Sequence, residues 1–196
     1  MAATPSTMLP LGSPMPDFDL PNTNADAGAD RVTAGDLRGR VAVVMVICNH
    51  CPFVIHVREQ LAAIGRDYAD RAAIIAISAN DIRTHPADAP DKMTAFAAES
   101  GFNFPYLFDE SQATAKALGA ACTPDFYVFD ESARLTYRGQ LDDARPGNGQ
   151  PVTGADLRRA IDATLDGDDP IPDQRPSIGC NIKWTPGNEP AYFARK

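Results

Sequence analysis

The sequence predicts an α/β sandwich in which helices flank a single sheet. Three observations lead to this prediction: an apolar run typical of a buried strand at residues 41–48, an amphipathic helix directly after it, and a second apolar run at residues 71–80. A strand–helix–strand unit is almost always a right-handed parallel crossover, which places the helix on one face of the sheet. A later pair of alternating segments predicts an antiparallel hairpin, so the sheet is expected to be mixed.

The elements of the first third of the chain follow from their patterns. Residues 1–15 are rich in proline and lack periodicity, so we expect a flexible N-terminal arm. The segment DFDL at 17–20 alternates enough for a short strand, and turn-forming residues follow it. The run VAVVMVIC at 41–48 is typical of a strand buried on both faces. Between residues 52 and 68 apolar positions recur every three or four residues, which predicts a helix with one apolar face. These positions are Val54, Val57, Leu61 and Ile64.

The middle of the chain continues the alternation of strands and helices. Residues 71–80 read as the next buried strand, and residues 91–101 read as a helix that ends at Gly101. Residues 102–109 are expected to be extended. Pro105 argues against a central position in the sheet, because proline lacks the N–H that a ladder needs.

The last third combines a short helix, a hairpin, a further helix and a tail. Residues 110–119 predict a short helix, and the alternating segments at 125–130 and 134–140 predict the antiparallel hairpin. A helix is expected to begin at Thr153, followed by a proline-rich extended tail from Asp168. We expect four apolar side chains to anchor this tail: Ile171, Ile178, Ile182 and Trp184.

The length of 196 residues fits one domain, since domains commonly contain ~100–200 residues. The predicted organisation is a flexible arm at 1–15, one domain at 16–167, and a tail at 168–196 that packs on the domain.

Charge and hydropathy limit the classes of function and the compartment. The net charge of -8 argues against binding to nucleic acid or to an anionic membrane surface. No stretch approaches the ~20 apolar residues of a transmembrane helix. The N-terminal residues carry no positively charged region and are interrupted by prolines, so we expect a cytoplasmic protein without a signal peptide. Structural disulfides are rare in the cytoplasm, so the four cysteines indicate chemistry or burial.

Two of these cysteines, Cys48 and Cys51, stand where the buried strand passes into the amphipathic helix. This spacing at a strand–helix junction is typical of a redox motif. A helix N-terminus favours a thiolate, and thiol pKa values in such motifs fall to roughly 3.5–7.5. The second sulfur can then attack a mixed disulfide and release the partner. Asn49 and His50 lie between the sulfurs as supporting residues; His50 either favours the thiolate when protonated or is an exposed loop residue.

Two other interpretations of the pair are a pair of inert buried cysteines and a metal site. A structural zinc site takes four ligands, usually from two separated pairs. The chain has no second Cys-x-x-Cys and no His-x-x-x-His, so no metal ligand is predicted.

Several segments together resemble the redoxin domains of the AhpC/TSA type, in particular the peroxiredoxin-like thioredoxin family proteins. The resemblance spans about 16–184 and is carried by CNHCPFV, ISANDIRTHPADAP, FPYLFDESQATAKALGAACTPDFYVFD, YRGQLDD and SIGCNIKW. It implies a thioredoxin-like sandwich with a central mixed sheet flanked by helices. An N-terminal strand or hairpin extension and a C-terminal strap are expected to complete it.

The resemblance also assigns the site residues. Cys48 and Cys51 match the redox pair. Thr123 and Pro124 match the place where thioredoxin folds put a cis-proline opposite the sulfurs, and an ordinary trans proline at the start of a strand is the alternative. A cis-proline there would leave the backbone of Thr123 free to pair with an incoming peptide.

The sequence departs from the relatives' patterns at two places. Ala42 stands where thioredoxins carry a buried aspartate, six residues before the first cysteine. If Cys51 is matched to the peroxidatic cysteine of peroxiredoxins, then Cys48 occupies the position of their threonine or serine. No arginine follows Pro124 closely in the sequence, which argues against ordinary peroxiredoxin chemistry.

Two further cysteines and two further histidines complete the set of candidates. Cys122 is expected near the sulfurs, either as a small buried apolar residue or as an additional redox thiol. Cys180 in the tail is expected to be either buried or a second resolving thiol. His56 and His85 are expected in solvent.

The sequence thus predicts a cytoplasmic thiol–disulfide oxidoreductase that reduces protein or small-molecule disulfides, uses no bound cofactor and takes electrons from a dithiol donor. Cys48 is expected to be the nucleophile, because it ends the strand at the exposed mouth of the site and only an accessible thiolate can exchange. Cys51 is expected to be the resolving residue, because it shares the inward helical phase of Val54 and Val57. The opposite assignment rests on Pro52, which suits the first helical turn and makes Cys51 the cap. The alternatives are a thiol peroxidase that uses either sulfur and a metal-binding chaperone of the same fold.

Overall fold

Residues 3–193 are described by a computed structural model of the chain. In chain order they form these strands and helices: β1 (Ala3–Pro5), β2 (Asp19–Pro21), β3 (Arg31–Thr33), β4 (Ala42–Val46), α1 (Pro52–Asp67), β5 (Ala73–Ser78), α2 (Pro90–Ser100), β6 (Tyr106–Phe108), α3 (Ala113–Ala117), β7 (Cys122–Thr123), β8 (Asp125–Phe129), β9 (Leu135–Gly139), α4 (Ala155–Leu165) and β10 (Ile178–Asn181). None of the helices in this range is long and apolar enough to cross a membrane.

The five-stranded sheet at the centre of the fold is mixed, as the sequence predicts. Its order is β6-β5-β4-β8-β9, with β4, β5 and β6 parallel and with β8 antiparallel to both β4 and β9. The apolar run VAVVMVIC supplies the central strand β4, and every residue of that strand is buried. Pro105 immediately precedes the edge strand β6, where a missing N–H is tolerated.

Apolar side chains cover both faces of this sheet. Helices α1, α2 and α4 pack on one face, and the strand pair β2–β3, helix α3 and the C-terminal tail pack on the other. The predicted inward positions of α1 all lie in the first of these layers: Val54, Val57, Leu61 and Ile64. The predicted α/β sandwich is therefore confirmed, and α1 begins directly beyond the carboxyl end of the central strand.

Residues 3–15 pack on the domain in this structure, which differs from the flexible arm expected from the sequence. Ala3–Pro5 pairs with β10, which also pairs with β7, so that a second sheet of order β1-β10-β7 forms. The hydroxyl of Ser6 donates to the buried carboxylate of Asp125 over 2.9 Å, and Met15 is buried. The arm has no periodicity and its partner strand lies at the other end of the chain, so its local sequence gave no sign of this pairing. Met1 and Ala2 lie outside the described residues.

The tail from Asp168 runs back across the domain before and after β10. Ile182 and Trp184 are buried in the layer that contains α3, and Ile171 packs half-buried in the opposite layer. Ile178, expected as a fourth anchor, is instead 38% exposed. Ile178 is the first residue of β10. Only β1 lies beside it, because the ladder with β7 begins two residues later, at Cys180. Residues 194–196 lie outside the described part of the chain.

Helix α3 is shorter than the predicted 110–119 because of one backbone conformation. Gln112 has a φ of 63°, in the left-handed region, so a helix cannot run through it. Its buried amide points toward the tail, where Nε2 donates to the carbonyl oxygens of Ala79 and Lys183 and Oε1 accepts from the amide of Thr185. The residue that delays α3 therefore also fixes the tail beyond β10.

Candidate active site

The two motif cysteines lie where the chain leaves β4 and enters α1. Cys51 is the N-cap of α1, with φ −71° and ψ 121°, and Pro52 takes the first helical position. Proline fits there because an N–H at that position would have no partner within the helix. The unpaired amides and the positive end of the helix dipole therefore lie next to Cys51, where they favour an anion.

Thr123 contacts both sulfur atoms from the opposite side of the site. Its hydroxyl oxygen lies 3.4 Å from Sγ of Cys48, and its carbonyl oxygen lies 3.2 Å from Sγ of Cys51. The peptide bond between Thr123 and Pro124 is cis, as the resemblance implied. The structure thus brings together the two cysteines and the two residues expected to position a substrate.

Both sulfurs are shielded from solvent in this structure. Cys48 is 1% exposed and Cys51 is 0% exposed. The inward phase of Cys51 agrees with the helical pattern of α1. The exposed position expected for Cys48 is wrong, because Thr123 and the strand that pairs with it cover this end of the sheet.

The two thiols differ in how readily they lose a proton. A hydrogen bond with the thiol of Cys48 lowers the pKa of Cys51 to about 4, against the opposing effect of burial. The hydroxyl of Thr123, the thiol of Cys180 and the backbone amide of Val54 make smaller contributions to the same lowering of the Cys51 pKa. The same hydrogen bond and the burial of its own sulfur raise the pKa of Cys48 well above its ordinary value. The electrostatics therefore favour a thiolate on Cys51 beside a protonated Cys48.

A buried carboxylate anchors the loop between the sulfurs. Asp88 accepts hydrogen bonds from the amide of Asn49 over 2.8 Å and from Nδ2 of Asn80 over 2.8 Å, and Nδ1 of His50 lies 2.7 Å from it. The hydrogen bond with Asp88 raises the pKa of His50. Burial opposes the ionisation of Asp88, but the hydrogen bonds from His50 and Asn80 hold its pKa below the ordinary value. The loop is thus held by an ion pair within the site.

Sequence reasoning missed Asp88. It ends a short 3₁₀ turn, Pro86–Asp88, and its local sequence looks like that of a solvated turn. The one available signal was its place in ISANDIRTHPADAP, a segment that carried the family resemblance. His85, expected in solvent, is half-buried and stacks on His50 with ring centroids 5.3 Å apart. His56 is exposed, as expected.

Comparison with known protein families shows which family the chain belongs to. The AhpC/TSA family profile matches residues 11–138, which is more than half of the chain. The chain belongs to the AhpC/TSA family. Two solved proteins resemble this redoxin over nearly its whole length. An uncharacterized conserved protein from Geobacillus kaustophilus is 48% identical with a TM-score of 0.90, and the match covers 95% of this chain and 98% of that one. A hypothetical protein from Sinorhizobium meliloti is 49% identical with a TM-score of 0.87, and the match covers 93% of this chain and 98% of that one.

A more distant solved structure is similar in fold alone. It is a putative thiol:disulfide interchange protein DsbE from Chlorobium tepidum, 21% identical with a TM-score of 0.62, and the match covers 81% of this chain and 99% of that one. No curated protein matches the chain. The fold is thioredoxin-like, and the protein is a thioredoxin-fold redoxin of a family whose general chemistry is thiol-based redox.

The position of the buried aspartate of thioredoxins is apolar in this redoxin. Ala42 is fully buried and packs in the layer that contains α3. The buried carboxylate of Asp88 lies instead close enough to raise the pKa of Cys48 through its charge, although this effect is smaller than those of Cys51 and of burial.

An arginine does approach Pro124 in space, although none follows it closely in the sequence. Arg138 on β9 is fully buried, and its guanidinium donates to Asp125, the residue after Pro124, over 3.2 Å. Its other hydrogen bonds go to the hydroxyl of Thr7 and the carbonyl oxygen of Gly119. The guanidinium is thus engaged by the N-terminal arm and by β8.

The two remaining cysteines lie on neighbouring strands beside the site. Cys122 on β7 is buried, and burial raises its pKa well above the ordinary value, which is the behaviour of a small apolar residue. Cys180 on β10 is also buried, and it pairs with Thr123 across the ladder. The backbone of Thr123, expected to be free for a peptide, is therefore paired with the protein's own tail.

A potential metal site overlaps the redox site. Sγ of Cys48, a ring nitrogen of His50 and a carboxylate oxygen of Asp88 all lie within 4.8 Å of one another. A soft thiolate together with imidazole suits copper or zinc. The sequence predicted no such set, because its carboxylate comes from the residue that sequence reasoning missed.

We expect Asp88→Asn to remove the pH dependence that the ion pair gives to stability. The raised pKa of His50 stabilises the fold below its unfolded value of about 6.5, and this contribution is lost as pH rises through the folded pKa. The lowered pKa of Asp88 stabilises the fold above its unfolded value of about 3.9, and this is lost as pH falls through the folded pKa.

The stability difference between the wild type and Asp88→Asn should therefore be largest between about pH 4 and pH 6.5. Urea unfolding across this range measures it, with the exposed Asp91→Asn as the matched control. A difference that does not vary with pH would contradict the ion pair.

Proposed function

We propose that this redoxin is a thiol–disulfide oxidoreductase whose working pair is Cys48 and Cys51. The observation that carries the proposal is that both sulfurs, which lie at the start of α1, contact Thr123, and that the neighbouring Cys48 thiol lowers the pKa of Cys51. A low-pKa thiolate beside a protonated thiol is the arrangement that thiol–disulfide exchange requires.

The site supports Cys51 as the nucleophile, which reverses the assignment expected from the sequence. That expectation rested on an accessible Cys48, but both sulfurs are equally buried. The position of the negative charge therefore decides which cysteine is the nucleophile, because the thiolate is the attacking species. The helix start, the Val54 amide and the Cys48 thiol all favour a thiolate on Cys51.

The proposed reaction proceeds in two exchanges. The Cys51 thiolate attacks one sulfur of the substrate disulfide, the substrate S–S bond breaks, and the leaving thiolate takes up a proton. Cys48 then loses its proton and attacks Sγ of Cys51, so that a Cys48–Cys51 disulfide forms and the second substrate thiol leaves. The substrate gains two electrons and the protein pair loses two, which a cellular dithiol donor restores. This cycle needs no bound cofactor, and we place it in the cytoplasm.

The pairing of β10 with β7 favours small-molecule disulfides as substrates. A peptide that adds a strand beside Thr123 would have to displace β10, which pairs there through Cys180 and is held on its other side by β1. A small disulfide needs only a path to the sulfurs. Protein disulfides therefore form the less favoured substrate class.

A thiol peroxidase is the second candidate, supported by the family and by Cys51 as a low-pKa cap residue before Pro52. In that reaction the Cys51 thiolate attacks a hydroperoxide oxygen, and an alcohol leaves. Cys48 then condenses with the sulfenic acid to give the disulfide and water. Two features favour the oxidoreductase: Cys48 occupies the threonine position of peroxiredoxins, and Arg138 is engaged by Asp125.

The metal-binding alternative rests on the triad of Cys48, His50 and Asp88. It predicts stoichiometric zinc or copper in protein purified without added metal. The oxidoreductase proposal predicts a metal-free protein of full activity, and elemental analysis distinguishes the two.

We expect one preparation with one dithiol donor to reduce a small disulfide faster than insulin disulfides and faster than a hydroperoxide. Cys51→Ser should lose turnover to the background rate and Cys48→Ser should turn over more slowly than the wild type, while Cys122→Ser, a buried cysteine outside the pair, should retain full turnover. Hydroperoxide turnover that exceeds disulfide turnover would favour the peroxidase. Unchanged activity in Cys51→Ser would contradict both.

A further inference from the structure

The tail brings a third cysteine to the redox pair. Cys180 lies directly opposite Thr123 in the antiparallel ladder of β10 and β7. Residues opposite each other in such a ladder place their side chains on the same face, with Cβ atoms ~4.5–5.5 Å apart. The side chain of Thr123 contacts Cys48, and its carbonyl oxygen lies 3.2 Å from Sγ of Cys51, so Cys180 points into the same space. The three sulfurs lie in one cluster of buried residues.

The position of Cys180 is fixed by strand pairing on both sides. On one side it pairs with Ala3 of β1, and on the other with Thr123 of β7. The preceding residue, Gly179, permits this close approach, since a Cβ there would lie 1.9 Å from the carbonyl oxygen of Thr123. Gln112 holds the tail beyond the strand. Cys180 thus lines the site.

The ionisation of Cys180 suits a thiol that acts after Cys51. Burial and the hydrogen bond with Cys51 raise the pKa of Cys180 to about 11, so it is protonated while Cys51 is the thiolate. Once Cys51 enters a disulfide, its sulfur carries no charge, and one cause of the raised pKa disappears. Cys180 becomes a better nucleophile at the moment when there is a disulfide on Cys51 to attack.

We propose that Cys180 is a third redox thiol that resolves disulfides on Cys51 and shares this role with Cys48. The inference rests on the proposed function. Cys180 loses its proton and attacks Sγ of Cys51 in the Cys48–Cys51 disulfide. A Cys51–Cys180 bond forms, and Cys48 leaves as a thiolate that takes up the proton. The number of disulfides is unchanged, so no oxidant is consumed. The same attack on a mixed disulfide at Cys51 releases the substrate thiol.

The test uses the full-length Cys48→Ser protein, in which Cys51 has lost its first partner. The reduced protein is oxidised mildly with diamide, its free thiols are blocked, and its disulfides are mapped by peptide mass spectrometry. We expect an intramolecular link between Cys51 and Cys180. Cys48→Ala is treated in parallel and should give the same link.

Two double variants complete the experiment. The link should be lost in Cys48→Ser/Cys180→Ser and retained in Cys48→Ser/Cys122→Ser. Cys122 is the matched control because it is buried on β7 next to Thr123, and successive strand residues point to opposite faces. A link from Cys51 to Cys122, or only links between separate chains, would overturn the assignment of Cys180.

The wild-type protein reports separately on the proposed function. In the wild type and in Cys180→Ser, which cannot pass the disulfide on, mild oxidation should yield the Cys48–Cys51 link. Failure of Cys180→Ser to form this link would count against the redox pair itself. The assignment of Cys180 is decided by the Cys48→Ser protein and its two double variants.

Discussion

Replacing Cys51 with serine is expected to abolish disulfide turnover and to prevent any mixed disulfide between protein and substrate. The reason is that Cys51 supplies the thiolate. With a pKa of about 4 it is ionised throughout the neutral range. An ordinary thiol of pKa ~8.5 is only roughly 3% ionised at pH 7, so Cys51 holds roughly 30-fold more thiolate there. In this variant the burial of Cys48 and the charge of Asp88 still raise the pKa of Cys48, so Cys48 does not take its place.

Trapping experiments show directly which cysteine is the nucleophile. They are done in the Cys180→Ser background, because Cys180 is proposed to resolve the trapped species. With Cys48→Ser added, a mixed disulfide with the substrate should accumulate on Cys51. With Cys51→Ser added, none should form on Cys48. Accumulation on Cys48 in the second protein, and none in the first, would restore the nucleophile expected from the sequence.

The pH dependence of Cys51 alkylation tests the cause of its low pKa. The largest contribution is the hydrogen bond with the thiol of residue 48. A serine hydroxyl at that position can still donate a hydrogen bond, but an alanine methyl group cannot. The midpoint of the rate profile should therefore lie at higher pH in Cys48→Ala than in Cys48→Ser. Coincident profiles would assign the lowered pKa to the helix terminus and Thr123 instead.

Elements with a local signature were predictable from the sequence. The three-and-four spacing over 52–68 predicted α1 within one residue of its end at Asp67, because the helix buries one face against the sheet. Gly101 was predicted to end α2, and it does so with a left-handed φ of 69°. The apolar run before the cysteines predicted the central strand because parallel strands are covered on both faces.

The site was less predictable because much of it comes from distant segments. Cys48 was expected to be the nucleophile because it lies at the end of a strand. The exposure of Cys48, however, depends on Thr123 and on the tail strand β10. That strand, IGCN, is too short for an alternation pattern. Asp88 comes from a turn between prolines, and its burial follows from hydrogen bonds with Asn49 and Asn80 that only the folded chain forms. Local sequence carries no information about such contacts.

Replacing the buried arginine Arg138 with methionine is expected to destabilise the fold by about 3–5 kcal/mol, because the change leaves a buried carboxylate without its cation. Arg138 and Asp125 both have fully buried side chains and are joined over 3.2 Å. The hydroxyls of Ser6 and Tyr127 also donate to Asp125, and the guanidinium lies 5.2 Å from the ring centroid of Tyr127. Methionine fills much of the volume but satisfies none of these polar partners.

The cost of Arg138→Met should grow with pH. Burial raises the pKa of Asp125, and Arg138 is the largest influence that opposes this rise. Without the guanidinium the folded-state pKa rises further. A carboxyl group whose pKa is raised on folding stabilises the fold below its unfolded pKa, and this contribution is lost as pH rises through the folded value. Urea unfolding should therefore show a smaller difference from the wild type near pH 4 than near pH 7.

A double-mutant cycle with Asp125→Asn separates the ion pair from packing. The double variant should be less destabilised than the sum of the two single losses, since removing both charges leaves no unpaired ion in the core. Arg175→Met is the matched control, because its pair with Asp143 is exposed at both partners and should cost only about 0–1 kcal/mol. Additive losses, or a loss in Arg138→Met no larger than the control, would contradict the role of the pair.

The same variant should loosen the N-terminal arm. Thr7 accepts a hydrogen bond from Arg138, and Ser6 donates to Asp125, so the pair anchors the segment that follows β1. Because β1 is the outer neighbour of β10, amides of residues 3–7 and of the tail strand should exchange hydrogen faster in Arg138→Met than in Arg175→Met. Unchanged exchange in both segments would mean that strand pairing holds the arm without the buried pair. Faster exchange would show that the pair of Arg138 with Asp125, the residue after the cis-proline, helps to hold β10 over the redox site.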